Sequence, residues 1–169
     1  MNVLMLVLRI IHISAAIFWG GASLMMYYFF SPTVRDTKQV GQQFAGHLVL
    51  KTPFVSAMTI AAVLTVLAGA SLYLIDSHSF TSAWTTSSAG LGFGIGGLFG
   101  LVAFVHGALF GQLNKKLALL GSRIQGQPTA DQVAQIQDIQ KKIARVAPIQ
   151  IVTIIIAILL MSASRYLLF

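Results

Sequence analysis

The chain has no cysteine and no glutamate among its 169 residues. The first absence excludes disulfides, thiolate metal sites and iron–sulfur clusters. The second leaves carboxylate chemistry to Asp36, Asp76, Asp131 and Asp138, all of which read as loop or surface residues. Charge is scarce: only 9% of residues are Asp, Glu, Lys or Arg, against 56% hydrophobic. A soluble domain carries about a quarter charged residues. No phosphate loop, nucleophile motif or paired carboxylates support a soluble enzyme. The net charge of +7 does not point to nucleic acid, because the basic residues fall mostly in two connections between apolar runs.

What is there is four apolar runs. A helix needs about 20 apolar residues to cross a bilayer. Runs at about 3–30, 53–75, 89–113 and 148–168 meet that length. The first is too long for a signal peptide and continues into bulky "MMYYFF", so it reads as a retained span. The connection 31–52 holds Arg35, Lys38 and Lys51, and the connection 114–147 holds Lys115, Lys116, Arg123, Lys141, Lys142 and Arg145. The connection 76–88 holds no Lys or Arg. By the positive-inside rule both termini are expected to lie outside, with the basic connections in the cytoplasm.

The basic connections carry helical periodicity. Val133, Ile136, Ile139, Ile143 and Val146 recur every three or four positions, which marks a one-sided helix. Thr129 is a candidate N-cap behind Pro128. The third span extends to about 124 on the same reasoning, and the fourth helix runs from 130 to 168. The second span extends back to 38 as an option. The expected fold is therefore all-α: an integral membrane four-helix bundle in one domain, 1–169. A cytoplasmic helical hairpin extends between helices 3 and 4, and Pro148 marks a kink. A basic helix lying on the membrane surface is the alternative for the hairpin.

Ionisable side chains within a span cost about 2.5–3.5 kcal/mol each on insertion scales, so they need a partner or a function. In "RIIHISAAIFWGG" (9–21), Arg9 and His12 lie one turn apart on a face completed by Ala16, Trp19 and Gly20. At 1.5 Å per residue Arg9 is about 9 Å, His12 about 13 Å and Arg165 about 6 Å below the outer surface. No carboxylate reads as their partner. An imidazole below cations suits a flat cofactor with acidic groups pointing outward, as in haem, where histidine holds iron and arginine meets the propionates. The plainer readings are snorkelling of the arginines to headgroups and a hydrogen-bonded core histidine.

The third span carries "GLGFGIGGLFGLVAFVHG" (90–107), with Gly92, Gly96 and Gly100 four apart. Such spacing admits close helix approach or room for a macrocycle. His106 faces the edge of this groove but lies about 10 Å further inward than His12. One iron does not bridge these two. His47, at the cytoplasmic edge, is nearer in height to His106. The sequence thus permits an outer site with His12 and an inner site with His47 and His106.

"LRIIHISAAIFWGGASLMMYYFFSPTV" resembles the first helix of a superfamily of small bacterial membrane proteins. It includes copper-resistance CopD-type proteins, their four-helix relatives and the haem-binding HemJ-type protoporphyrinogen oxidases. The shared pattern is His, six residues, Trp and Gly, here His12, Trp19 and Gly20 or Gly21. "FAGHLVLKTPFVSAMTIAAVLTVLAGASLYL" resembles their second helix. The resemblance implies haem b, with His12 as ligand, for the HemJ branch, and copper for the CopD branch. The third span has no lysine to match the HemJ pattern, and the methionines form no Met-x-x-Met cluster. Three functions remain open: haem b binding in electron transfer or in a membrane redox complex, copper handling, and a non-catalytic accessory subunit. The expected partners are the lipid bilayer and other membrane subunits or further copies of the chain.

Overall fold

The computed structural model describes residues 3–124 and 126–166. The described residues are 88% helical and contain no strand. Its helices are α1 (Val3–Met25), α2 (Ser31–Asp36), α3 (Lys38–Lys51), α4 (Phe54–Asp76), α5 (Ser88–Ser122) and α6 (Ala130–Ala163). Four stretches are long and apolar enough to cross a membrane: Val3–Asp36, Phe54–Asp76, Ser88–Ser122 and Ala130–Ala163. The outer limit expected for the last helix, near 168, lies outside the described residues.

The first stretch is longer than its apolar run suggests. A five-residue π-helical segment, Met26–Phe30, joins α1 to α2 without a break. The wider π turn disturbs the regular backbone ladder, and the Ser31 hydroxyl donates to the Met26 carbonyl at 2.8 Å. The chain turns at Thr37–Lys38, where Lys38 has φ 50°. Pro53 then separates α3 from α4, since proline supplies no N–H to continue the preceding ladder. The start of α6 is a capping box: Thr129 accepts from the Gln132 N–H and the Gln132 side chain accepts from the Thr129 N–H. Gly126 in the preceding turn has φ 81°, a conformation glycine takes without a Cβ clash. Pro148 sits inside α6, which remains helical through it.

The helices associate as two antiparallel pairs, α1 with α4 and α5 with α6, and α3 packs on α5. Trp19, Ala61, Ala62, Ala103 and Ile154 bring the four long helices into one core. Trp19 meets Phe104 edge-on at 6.5 Å. Between α5 and α6 the space at Gly96 is filled by the partner helix: a Cβ on Gly96 would lie 3.0 Å from Met161 Cγ and 3.3 Å from Leu160 Cβ, whereas one on Gly100 would meet nothing within 4 Å. The room that Gly96 leaves is therefore occupied by α6.

At the end where α4 meets α5, Tyr73 meets Trp84 edge-on at 5.3 Å and Phe80 at a tilt at 5.8 Å, and Trp84 stacks on Phe93 at 6.3 Å. The turn there holds His78, Ser79 and Phe80 at φ 45°, 57° and 70°. Three successive left-handed non-glycine residues are disfavoured sterically. The turn is secured by the Phe80 N–H donating to the Ser77 hydroxyl at 3.1 Å and by the aromatic stack.

Candidate functional site around His12

Helix α1 presents its two ionisable residues to α4. The His12 Nδ1 lies 2.8 Å from the main-chain carbonyl oxygen of Thr65. A carbonyl only accepts, so Nδ1 carries a proton, and in the neutral ring Nε2 carries the lone pair. The imidazole lies over Gly69: a Cβ there would stand 2.7 Å from Cε1 and 2.9 Å from Nδ1. Nε2 makes no hydrogen bond among the described residues. Nor is it sealed, since no buried side-chain nitrogen or oxygen among the described residues is without a partner.

Arg9 does have a carboxylate partner. Asp76, read from sequence as a loop residue, is the last residue of α4, and its carboxylate lies 3.9 Å from the Arg9 guanidinium. The expectation that no carboxylate answers Arg9 is thereby corrected. Asp76 closes an apolar run, so composition alone did not distinguish a helix end from a loop. The pair is loose and partly exposed, with 46% and 34% of the two side chains accessible, so its net contribution is about 0–1 kcal/mol. Arg165 follows α6 in a turn and is exposed.

The other histidines lie elsewhere. His106, on α5, places Nδ1 2.9 Å from the Val102 carbonyl one turn back on its own helix. Its neighbour Gly107 faces Trp19, whose Cζ2 would lie 3.9 Å from an added Cβ. Trp19 is seven positions from His12, about 10 Å along the helix, so His106 stands well away from the His12 level along the bundle. His47 is exposed on α3, ahead of the Pro53 break. The described residues contain no group of three or more His, Cys, Asp or Glu side chains disposed to hold a metal.

A second polar feature escaped the sequence reading. Gln150 of α6 is 5% exposed. Its amide nitrogen donates to the Ser23 hydroxyl of α1 at 3.4 Å and abuts the position of a Cβ on Gly107 at 2.9 Å. One side chain thus ties α6 to α1 across α5. A glutamine following Pro148 was the available signal, but its partners depend on the packing.

His12 Nε2 would offer a single imidazole donor to a haem or a metal ion. A metal-binding histidine commonly donates its second ring N–H to a carbonyl, which fixes the tautomer and presents the other nitrogen. His12 has that arrangement through Thr65. His106 has it through its own helix. No family model, no curated protein and no solved structure matches the chain.

Proposed function

We propose that the chain is a four-helix protein of the bacterial plasma membrane that binds haem b through His12 Nε2, in electron transfer or within a membrane redox complex. The observation that carries this is the unsealed, unbonded Nε2 of His12 in an apolar helix, its tautomer set by the Thr65 carbonyl. In hydrocarbon no water answers an open acceptor, which is costly unless something else does. His12 Nε2 would hold the iron of a bound haem, which would supply one-electron chemistry. Arg9, exposed at 46%, offers a cation one turn outward of His12 to acidic groups at the cofactor's edge. Arg165 is the second cation, at a similar depth by residue count. His106 and His47 belong to a separate inner site.

The same reading places both termini on the periplasmic side and the distal parts of α5 and α6 in the cytoplasm, following the basic residues of that hairpin. The contacts of α6 at Gly96 and Gly107 favour the accessory-subunit reading as second choice, because packing accounts for those two glycines. The visible spectrum and metal content of the protein extracted from membranes in mild detergent test the proposal. A Soret band, altered in His12→Ala, is the expected result. Copper without a Soret band would assign the site to copper handling, and a colourless, metal-free protein would leave the accessory-subunit reading.

A further inference from the structure

We infer that Gly69 is the positioning residue of His12: by lacking a side chain it opens the Thr65 carbonyl to the imidazole and so sets which ring nitrogen is left to bind. In an α-helix each side chain leans toward the N-terminus. The side chain at 69 therefore leans over the carbonyl of residue 65, one turn back, which already accepts the helical N–H of residue 69. At most positions a Cβ and its substituents crowd a second donor away from that oxygen. Here the step Ala68–Gly69 leaves it open, and the His12 Nδ1 approaches to 2.8 Å.

The clearance is narrow. A methyl at position 69 would lie 2.7 Å from Cε1 and 2.9 Å from Nδ1 of His12, but 3.7 Å from Nε2. Contacts under about 3 Å are too close for carbon, so the imidazole would have to leave the carbonyl. The obstruction falls on the hydrogen-bonded edge of the ring and spares the edge bearing Nε2. The Thr65 side chain is not the acceptor, for its hydroxyl donates to the Ala61 carbonyl at 2.8 Å within α4. Main-chain geometry therefore holds the tautomer.

This inference rests on the haem reading only for its functional consequence. The tautomer itself is measured without any cofactor, by nitrogen NMR of the full-length, 15N-histidine-labelled protein in lipid bilayers. The His12 signals are identified by their loss in His12→Gln. Wild type should show His12 protonated at Nδ1 and bare at Nε2. Gly69→Ala should remove that pattern. Gly97→Ala, a matched helix substitution whose added Cβ meets nothing within 4 Å, should keep it, and so should Thr65→Val, which retains the carbonyl. Where haem binds, Gly69→Ala should weaken its retention by about 10–100-fold, the usual effect of losing a ligand's hydrogen-bond partner.

Protonation of wild-type His12 at Nε2 would overturn the inference, and this measurement needs no variant at position 69 to fold. An unchanged Nδ1–H signal in Gly69→Ala would also overturn it, even if haem binds through His12. The tautomer change in Gly69→Ala in a protein that takes up no haem would sustain the role of Gly69 and refute the haem reading alone.

Discussion

His12 and His106 are chemically alike and differently built into the protein. Each places Nδ1 against a main-chain carbonyl, yet His12 reaches across to α4 while His106 bonds one turn back on α5. The first bond joins two helices and depends on how they pack. The second is available to a histidine on an isolated helix. The contrast extends to their surroundings. Around His12, α1 and α4 are also linked by the Arg9–Asp76 pair. Beyond His106, α5 and α6 are held by close contact at glycines such as Gly96. The α1–α4 pair thus spends polar groups on its contacts, and the α5–α6 pair spends shape. Only the first arrangement couples the state of an imidazole to the position of a neighbouring helix.

The difference is open to attack by substitution. The largest loss of stability is expected at the α5–α6 seam. Gly96→Val would push branched carbons into Met161 and Leu160, which a single Cβ already approaches to 3.0 and 3.3 Å. Overpacking of this kind costs about 1–3 kcal/mol. Unfolding of the purified protein in mixed micelles should show that loss, and a variant as stable as wild type would mean that α6 does not fill the glycine face.

His12→Ala should cost less stability, because the Thr65 carbonyl keeps its bond within α4. Interhelical hydrogen bonds in membranes average about 0.6 kcal/mol and reach about 1.7. The same assay should place His12→Ala within that range and His106→Ala below it, since no interhelical bond is lost there. The reverse order would break the contrast between the two histidines. Gln150→Leu removes the tie to Ser23, whose length of 3.4 Å points to the lower part of the range. Disulfide trapping between α1 and α6 should speed up in this variant; an unchanged rate would show that the Gln150–Ser23 contact does not restrain the two helices.

Arg9→Ala should have the smallest effect on stability, within about 1 kcal/mol and weaker at high salt. If His12 holds haem, its consequence is electrochemical. Haem gains one negative charge on reduction, so removing a nearby cation should lower the midpoint potential while the ligation spectrum stays the same. A potential that does not move would assign Arg9 to Asp76 alone.

Much of the architecture was legible because it follows from local pattern. Four apolar runs of sufficient length correspond to the four long helices, and Thr129 could be read as a cap because capping boxes are local. Other features depend on which helix lies beside which. Gly69 reads as one small residue in "LAGAS" until α1 is placed against α4, when it becomes the slot for His12. Gly96 suits a macrocycle or a helix equally well in sequence, and the side chains of α6 decide it. Asp76 stands where an apolar run ends, and only its register opposite Arg9 shows that it has a partner. The π segment at Met26–Phe30 carries no compositional mark: five bulky apolar residues fit an α-helix just as well.

The most direct test is a haem titration of wild type, His12→Ala and His106→Ala side by side in bilayer nanodiscs, followed at the Soret band. Wild type and His106→Ala should each bind haem at an outer site with the same affinity, and His12→Ala should lose that site. Equal binding by wild type and His12→Ala would contradict the assignment and leave His12 as a hydrogen-bonded fastener between α1 and α4.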